Sequence, residues 1–215
     1  MATLAGLQVM ALTDHNTCKN CPAFFSAAKR NGIIPIAGME LTTSEDIHVV
    51  FLFEELEDAL RFSEEIENHL IKIENRPDIF GRQLIMNEMD EIIGEEKYLL
   101  SNATDISIDD CPKFAEAFGG ICYPAHIDRE ANGAVSTLGM FPDIEGFNVF
   151  ELHDGEKEEE YRKTQPLKAR LMVAGSDAHY LWDIRDKKYY FDIDDEPYSS
   201  ALVRRRIFEK LKEKR

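Results

Sequence analysis

Six short apolar runs limit how this chain can fold: Gln8–Thr13, Ile33–Ala37, His48–Phe53, Gly120–Pro124, Gly146–Leu152 and Leu171–Gly175. Their apolarity is continuous rather than alternating, which is the pattern of parallel strands covered on both faces. Helical stretches lie between them. Pro22–Arg30 has proline in a first-turn position and ends at Asn31-Gly32. Glu54–Ile73 repeats apolar residues at Leu56, Leu60, Phe62, Ile66, Leu70 and Ile73, one face of an amphipathic helix. Asp109–Phe118 stops at Gly119-Gly120, and Ser199–Lys214 closes the chain as a basic amphipathic helix. Strands alternating with helices predict an α/β layer or barrel. At 215 residues the chain reads as a single domain. Between Asn75 and Thr104 the pattern changes; RQLIM and EIIGEE flanking NEMD predict a hairpin or mixed insertion that serves as a lid. The polar stretch Ile127–Gly139 reads as a loop over the site.

Histidines and carboxylates gather at the ends of these runs. His15, His126, His153 and His179 follow four of them, His48 opens a fifth, Glu40 follows IIPIAGM, and Asp177 precedes His179 by two residues. Strand ends converge at the mouth of a parallel barrel, and imidazole with carboxylate is the donor set shared by zinc, manganese and iron(II). His15, Glu40, His48, His126, Asp177 and His179 are therefore the candidate metal ligands. A bridging carboxylate such as Glu40 suits a pair of ions about 3.5–4 Å apart. His153, in the context FELHDG, is a weaker candidate, and His69, inside a helix, reads as a solvated surface residue.

The formal net charge of −16 argues against broad nucleic-acid binding and against docking on anionic lipid. No stretch approaches the roughly 18 apolar residues of a membrane span. MATLAGLQVMALTDH lacks the basic start of a signal peptide, so a cytoplasmic protein with free thiols at Cys18, Cys21, Cys111 and Cys122 is expected.

The segments ALTDHNT (Ala11–Thr17), PIAGMELTT (Pro35–Thr43) followed by His48, PAHIDR (Pro124–Arg129) and GSDAH (Gly175–His179) resemble, in order and spacing, the PHP domain (polymerase and histidinol phosphatase) proteins. The resemblance implies a distorted (β/α)7 TIM-like barrel of the PHP type, with two or three divalent ions at its mouth. It implies that Glu40 bridges two ions, that His48 and His126 complete one of them, that Asp177 ligates the other, and that His15 and His179 serve a third. Asp14 would brace His15 or the rim. The family opens with a strand bearing an Asp-X-His-X-His-type motif, and MATLAGL holds none. Six expected strands in place of seven agree, so the barrel is expected to lack its first strand and to hold fewer ions. A start lying upstream and a natural short form both account for this, the former being preferred; a partner copy filling the gap is a further expectation.

The expected activity is hydrolysis of a phosphoester in a small phosphorylated metabolite or nucleotide. Metal-bound hydroxide is the nucleophile, so no protein nucleophile is nominated. Arg129, three residues after His126, is the candidate grip on a phosphate oxygen. Against this stand three alternatives. Cys18-Lys-Asn-Cys21 superficially matches a thioredoxin-type motif but leaves the histidines unexplained. A half zinc site would need a second such pair. A PHP-like module with an incomplete metal site would act without catalysis, in regulation or interaction.

Overall fold

A computed structural model describes residues 1–213. Lys214, the last residue of the expected C-terminal helix, lies outside the described residues, as does Arg215. All six expected strands are present: β1 (Val9–Leu12), β2 (Ile34–Thr42), β3 (His48–Phe53), β6 (Ile121–Pro124), β7 (Val149–Leu152) and β8 (Leu171–Ala174). Two more, β4 (Leu84–Met86) and β5 (Ile92–Glu95), form the hairpin foreseen in the insertion. The strands pair in the order β1-β2-β3-β6 in one sheet and as β7-β8 in another. Ile127 N–H donates to the Glu151 carbonyl at 2.9 Å, stitching the end of β6 to β7.

The strands are not all parallel as expected. β1–β2 and β7–β8 are parallel, but β3 runs antiparallel to both β2 and β6. The cause is the connection Thr43–Ile47, which is far too short for the crossover that a parallel pair needs. Thr43 closes it, accepting at its hydroxyl from Ile47 N–H and donating its own N–H to the Ile47 carbonyl. β2 is also longer than its expected Ile33–Ala37. The chain runs straight through Gly38, so Glu40 lies within the strand, opposite Val50.

Side-chain alternation divides the wall into two faces. Ala37, Met39 and Leu41 of β2 with Val49, Phe51 and Phe53 of β3 share one apolar cluster with α1 (Cys21–Arg30), α2 (Leu56–His69) and α4 (Cys111–Ala117). Phe62 of α2 stacks on Phe51 with ring centroids 4.6 Å apart. The other face carries Ile34, Ile36, Val50 and Leu52 at one end, packed under Val203, Ile207, Phe208 and Leu211 of α7 (Ser200–Lys212). Glu40 and His48 belong to the same alternation but stand at the opposite end of the wall. One helix therefore plugs one end of this face and leaves the polar end open. Three shorter helices, α3 (Pro77–Phe80), α5 (Ala134–Leu138) and α6 (Glu158–Thr164), complete the described elements together with two short 3-10 turns. α5 lies inside the stretch read as loop, and the acidic run EKEEEYR begins in a 3-10 turn and continues as α6, with no residue of that helix buried. No helix among the described residues is long and apolar enough to cross a membrane.

Candidate metal centre

Each candidate ligand reaches the open end from a separate element. His15 follows β1 and pairs with Glu40 in an isolated parallel bridge. Glu40 N–H donates to the Asp14 carbonyl at 3.1 Å, and Asn16 N–H donates to the Glu40 carbonyl at 3.0 Å. Asp14 thus braces the rim, and its side chain accepts from Asn20 Nδ2 at 3.0 Å. His48 stands at the start of β3 rather than at its end. Because β3 is antiparallel, its first residue still arrives beside the last residues of β2.

Glu40 is the hub. Its Oε1 lies 3.3 Å from His48 Nδ1 and 3.3 Å from His126 Nε2, and those two nitrogens are 3.2 Å apart. Its Oε2 lies 3.5 Å from His15 Nδ1. The His179 ring is 5.7 Å from that of His15, centroid to centroid, and His179 Nδ1 lies 3.5 Å from Asp177 Oδ1. The other Asp177 oxygen is held by Arg129 Nη1. All six sequence-predicted ligands and Arg129 are therefore connected in one chain of contacts. Arg129 is not the free guanidinium expected of a bare phosphate grip: it also approaches His153 Nδ1 at 3.0 Å.

The donor set fits a divalent cation. His15, Glu40 and His48 each offer one ligand atom within 4.8 Å of the others. Atoms that each sit about 2 Å from one tetrahedral ion are about 3.3 Å apart, and the Glu40–His48–His126 triangle has edges of that length. The buried Nδ1 atoms of His15 and His126 have no hydrogen-bond partner. Burial alone would raise the Glu40 carboxyl, but hydrogen bonds from His126 and His48, with the charges of His48 and His15, hold it well below the usual carboxylate range. Burial pulls the His15 imidazole down, which favours its neutral, ligating form. Burial pulls the same way on His126, yet the Glu40 carboxylate outweighs it and raises that imidazole.

Sequence reasoning missed four residues. Glu151 of β7 is buried, and its Oε1 accepts from His126 N–H at 3.2 Å. Burial, reinforced by the Glu40 and Asp177 charges, raises its carboxyl to about 7. An acid inside the continuous run FNVFEL was the signal that could have found it. Asp128 accepts from the N–H groups of His153 and Asp154 at 2.6 and 2.9 Å. Arg185, in a stretch without periodicity, approaches His153 Nε2 at 2.8 Å. Asn16 joins the tip of β2 to the insertion, donating to the Leu100 and Asn102 carbonyls at 2.7 and 2.8 Å while accepting from Thr42 N–H. Asn16, His126 and Asp177 all adopt positive φ, at 50°, 26° and 48°. Backbone held so far from its preferred regions collects at functional sites.

A cleft of about 370 Å³ opens beside His15 and is bounded by Asn20, Phe80, Gln83, Leu84 and Leu100, so the insertion borders the site. His69 is a surface residue as expected, although it does have partners, at 2.7 Å from Asp105 and 3.4 Å from Glu65. The cysteine pair does not support a redox motif. Cys18 and Cys21 are both buried with their sulfurs turned to the Gly38 carbonyl, and the Cys18 thiol is pushed well up by its hydrogen bond with Cys21 and by burial.

Comparison with known proteins bears on the family and the fold. The crystal structure of a lesion-specific endonuclease of Pyrococcus furiosus, EndoQ, has a similar fold, with a TM-score of 0.53 at 14% identity over 83% of this chain. The chain spans only 42% of that protein's length. No curated protein matches the sequence. The PHP domain family model matches residues 1–117, a stretch that includes His15, Glu40 and His48, whereas His126, Asp177 and His179 lie beyond it. With more than half of its length matched by that model, the chain belongs to the PHP domain family.

Proposed function

We propose that this protein is a metal-dependent phosphoesterase acting on a small phosphorylated metabolite or nucleotide. The observation that carries the proposal is the approach of Glu40 Oε1, His48 Nδ1 and His126 Nε2 to within 3.2–3.3 Å of one another. Glu40, His48 and His126 would hold one zinc, manganese or iron ion. His15, Asp177 and His179, sharing Glu40 through Oε2, would hold others. Divalent ions there supply Lewis acidity, acidifying water and offsetting charge on phosphoryl oxygens. The chain's own part is positioning. Glu40 remains ionised throughout the physiological range. Glu151 fixes the backbone of His126. Arg129, beside Asp177, offers its planar fork to a phosphoryl oxygen. We read β1-β2-β3-β6 with β7-β8 as most of a distorted (β/α)7 barrel formed by one domain, with the 75–104 insertion bordering its mouth, in a cytoplasmic protein.

A second substrate, a nucleic-acid phosphodiester, is suggested by the activity named for the Pyrococcus furiosus endonuclease. The net charge of −16 opposes it for duplexes, which bind through many phosphate contacts. Metal analysis combined with turnover of p-nitrophenyl phosphate in Mn²⁺ or Zn²⁺ tests the proposal. Stoichiometric metal and turnover, both lost in Glu40→Gln, are expected. Neither metal retention nor turnover after reconstitution would favour a non-catalytic module instead.

A further inference from the structure

Immediately after His179 the chain raises two aromatic rings into solvent. Tyr180 and Trp182 are 62% and 75% exposed, and their rings stack on each other with centroids 5.0 Å apart and planes 4° from parallel. Each ring spends one face on the other and leaves its second face open. Large exposed aromatics that are rigid and parallel are costly to leave in water unless something covers them. The turn beneath them is built rather than loose. Tyr180 N–H donates to Asp183 Oδ2 at 3.0 Å, and Asp183 N–H returns to the Tyr180 carbonyl at 3.0 Å. Downstream, Arg185 is tied to the carbonyl and ring of His153, Lys187 N–H donates to the Ala5 carbonyl at 3.1 Å, and Lys188 Nζ pairs with Glu156 at 2.7 Å. Along the chain the platform is therefore flanked by the candidate ligand His179, whose ring lies 5.7 Å from that of His15, and by Arg185, which joins the Arg129–His153 cluster. A flat π-face three residues along the chain from Arg185 on one side and from Asp177, which Arg129 holds, on the other, in an otherwise acidic chain, is complementary to a ligand with a flat heteroaromatic ring at one end and a phosphate at the other.

We propose that the Tyr180–Trp182 pair is a stacking platform for the base of a nucleoside monophosphate whose phosphate lies at the Glu40–His48–His126 centre; this rests on the phosphoesterase reading and names its substrate class. The base lies on the open face of one ring, and the phosphate reaches the centre past His179, the candidate ligand next to Tyr180 in sequence, whose ring lies 5.7 Å from that of His15.

Trp182 is the chain's single tryptophan, so its emission reports the platform directly. The metal-free protein, in chelator, is titrated with adenosine monophosphate and with ribose 5-phosphate, which lacks the base. Saturable quenching by the nucleotide alone is expected. In Mn²⁺, kcat/KM for the nucleotide should exceed that for the sugar phosphate by on the order of tenfold, the scale of one base–aromatic stack. That margin should shrink to about twofold or less in Trp182→Ala and be largely restored in Trp182→Phe. Equal quenching by both compounds, no quenching, or a margin that survives Trp182→Ala overturns the platform. Quenching by the nucleotide with no turnover of either ester keeps the platform and removes the phosphoesterase reading. Equal turnover of both esters without quenching does the reverse. A single-stranded oligonucleotide that quenches at far lower concentration than the mononucleotide overturns the assignment to a monophosphate.

Discussion

Glu151 shows how a single side chain links the site to stability. Its buried carboxyl is raised from 4.5 to about 7, first by burial and then by Glu40 and Asp177. Between those values the folded chain keeps a proton that the unfolded chain releases. Stability of the metal-free protein must therefore fall as pH rises across that window, by on the order of 3 kcal/mol. Glu151→Gln retains an acceptor for His126 N–H and carries no charge. It should flatten this fall between pH 5 and pH 8 in urea unfolding by the share that Glu151 contributes, and a fall as steep as in the parent would contradict the assignment. His126 works in the same sense, at higher pH. Glu40 raises its imidazole, so the stability from that pair is fully present below the ordinary value of 6.5 and is lost as pH climbs through the raised one. Arg129→Ala removes a charge-assisted contact, and KM for a phosphoester should rise about 10- to 100-fold while bound metal changes little. If metal content falls in parallel, Arg129 acts by restraining Asp177 rather than by meeting substrate.

Among the elements, β2 carries the most constraint. A methyl at Gly38 would sit 2.6 Å from the Phe51 carbonyl, 2.8 Å from Leu52 and 2.9 Å from Thr13. Gly38→Ala should cost about 1–3 kcal/mol in thermal or urea unfolding, because backbone on the neighbouring strand cannot yield. The insertion hairpin hangs on Asn20, whose Oδ1 accepts from Met86 N–H at 2.9 Å and whose Nδ2 donates to the Leu84 carbonyl at 3.2 Å. Asn20→Ala should accelerate hydrogen exchange at Met86 while β2 and β3 stay protected; unchanged exchange would mean that the hairpin is held elsewhere. These elements also show what the sequence could reveal. Helix spacing placed α1 within one residue, since its apolar stripe and Asn31-Gly32 stop are local signals. The long helix stopped at His69 rather than Ile73 because Leu70 leaves it in extended conformation to bridge Thr104, a contact 34 residues away that no periodicity encodes. Strand direction was illegible for the same reason, and the expected strand ended at Ala37, short of Gly38, which permits close approach. Each site histidine was visible because a polar residue ending an apolar run is anomalous. Arg185 and the aromatic pair sit in aperiodic chain, where only tertiary contacts give them meaning.

At the scale of the molecule, the fold gathers the candidate ligands of an acidic chain around Glu40. Glu40 lies among three imidazoles, and any ion that binds the folded state alone must stabilise it by mass action. Manganese or zinc at a hundredfold its dissociation constant should contribute about 2.7 kcal/mol, a rise in Tm of roughly 5–10 °C for a domain of this size. Scanning calorimetry with metal and with chelator checks this, and Glu40→Gln should remove most of the difference. A second whole-molecule property follows from the placement of the thiols. All four cysteines are buried, and burial pushes those of Cys111 and Cys122 far up. Alkylating reagents that need a thiolate thus find no native target on the folded surface. One cysteine engineered at an exposed position such as Leu181 would accept a fluorophore or spin label alone, giving a background-free report on the surroundings of the mouth as substrates come and go.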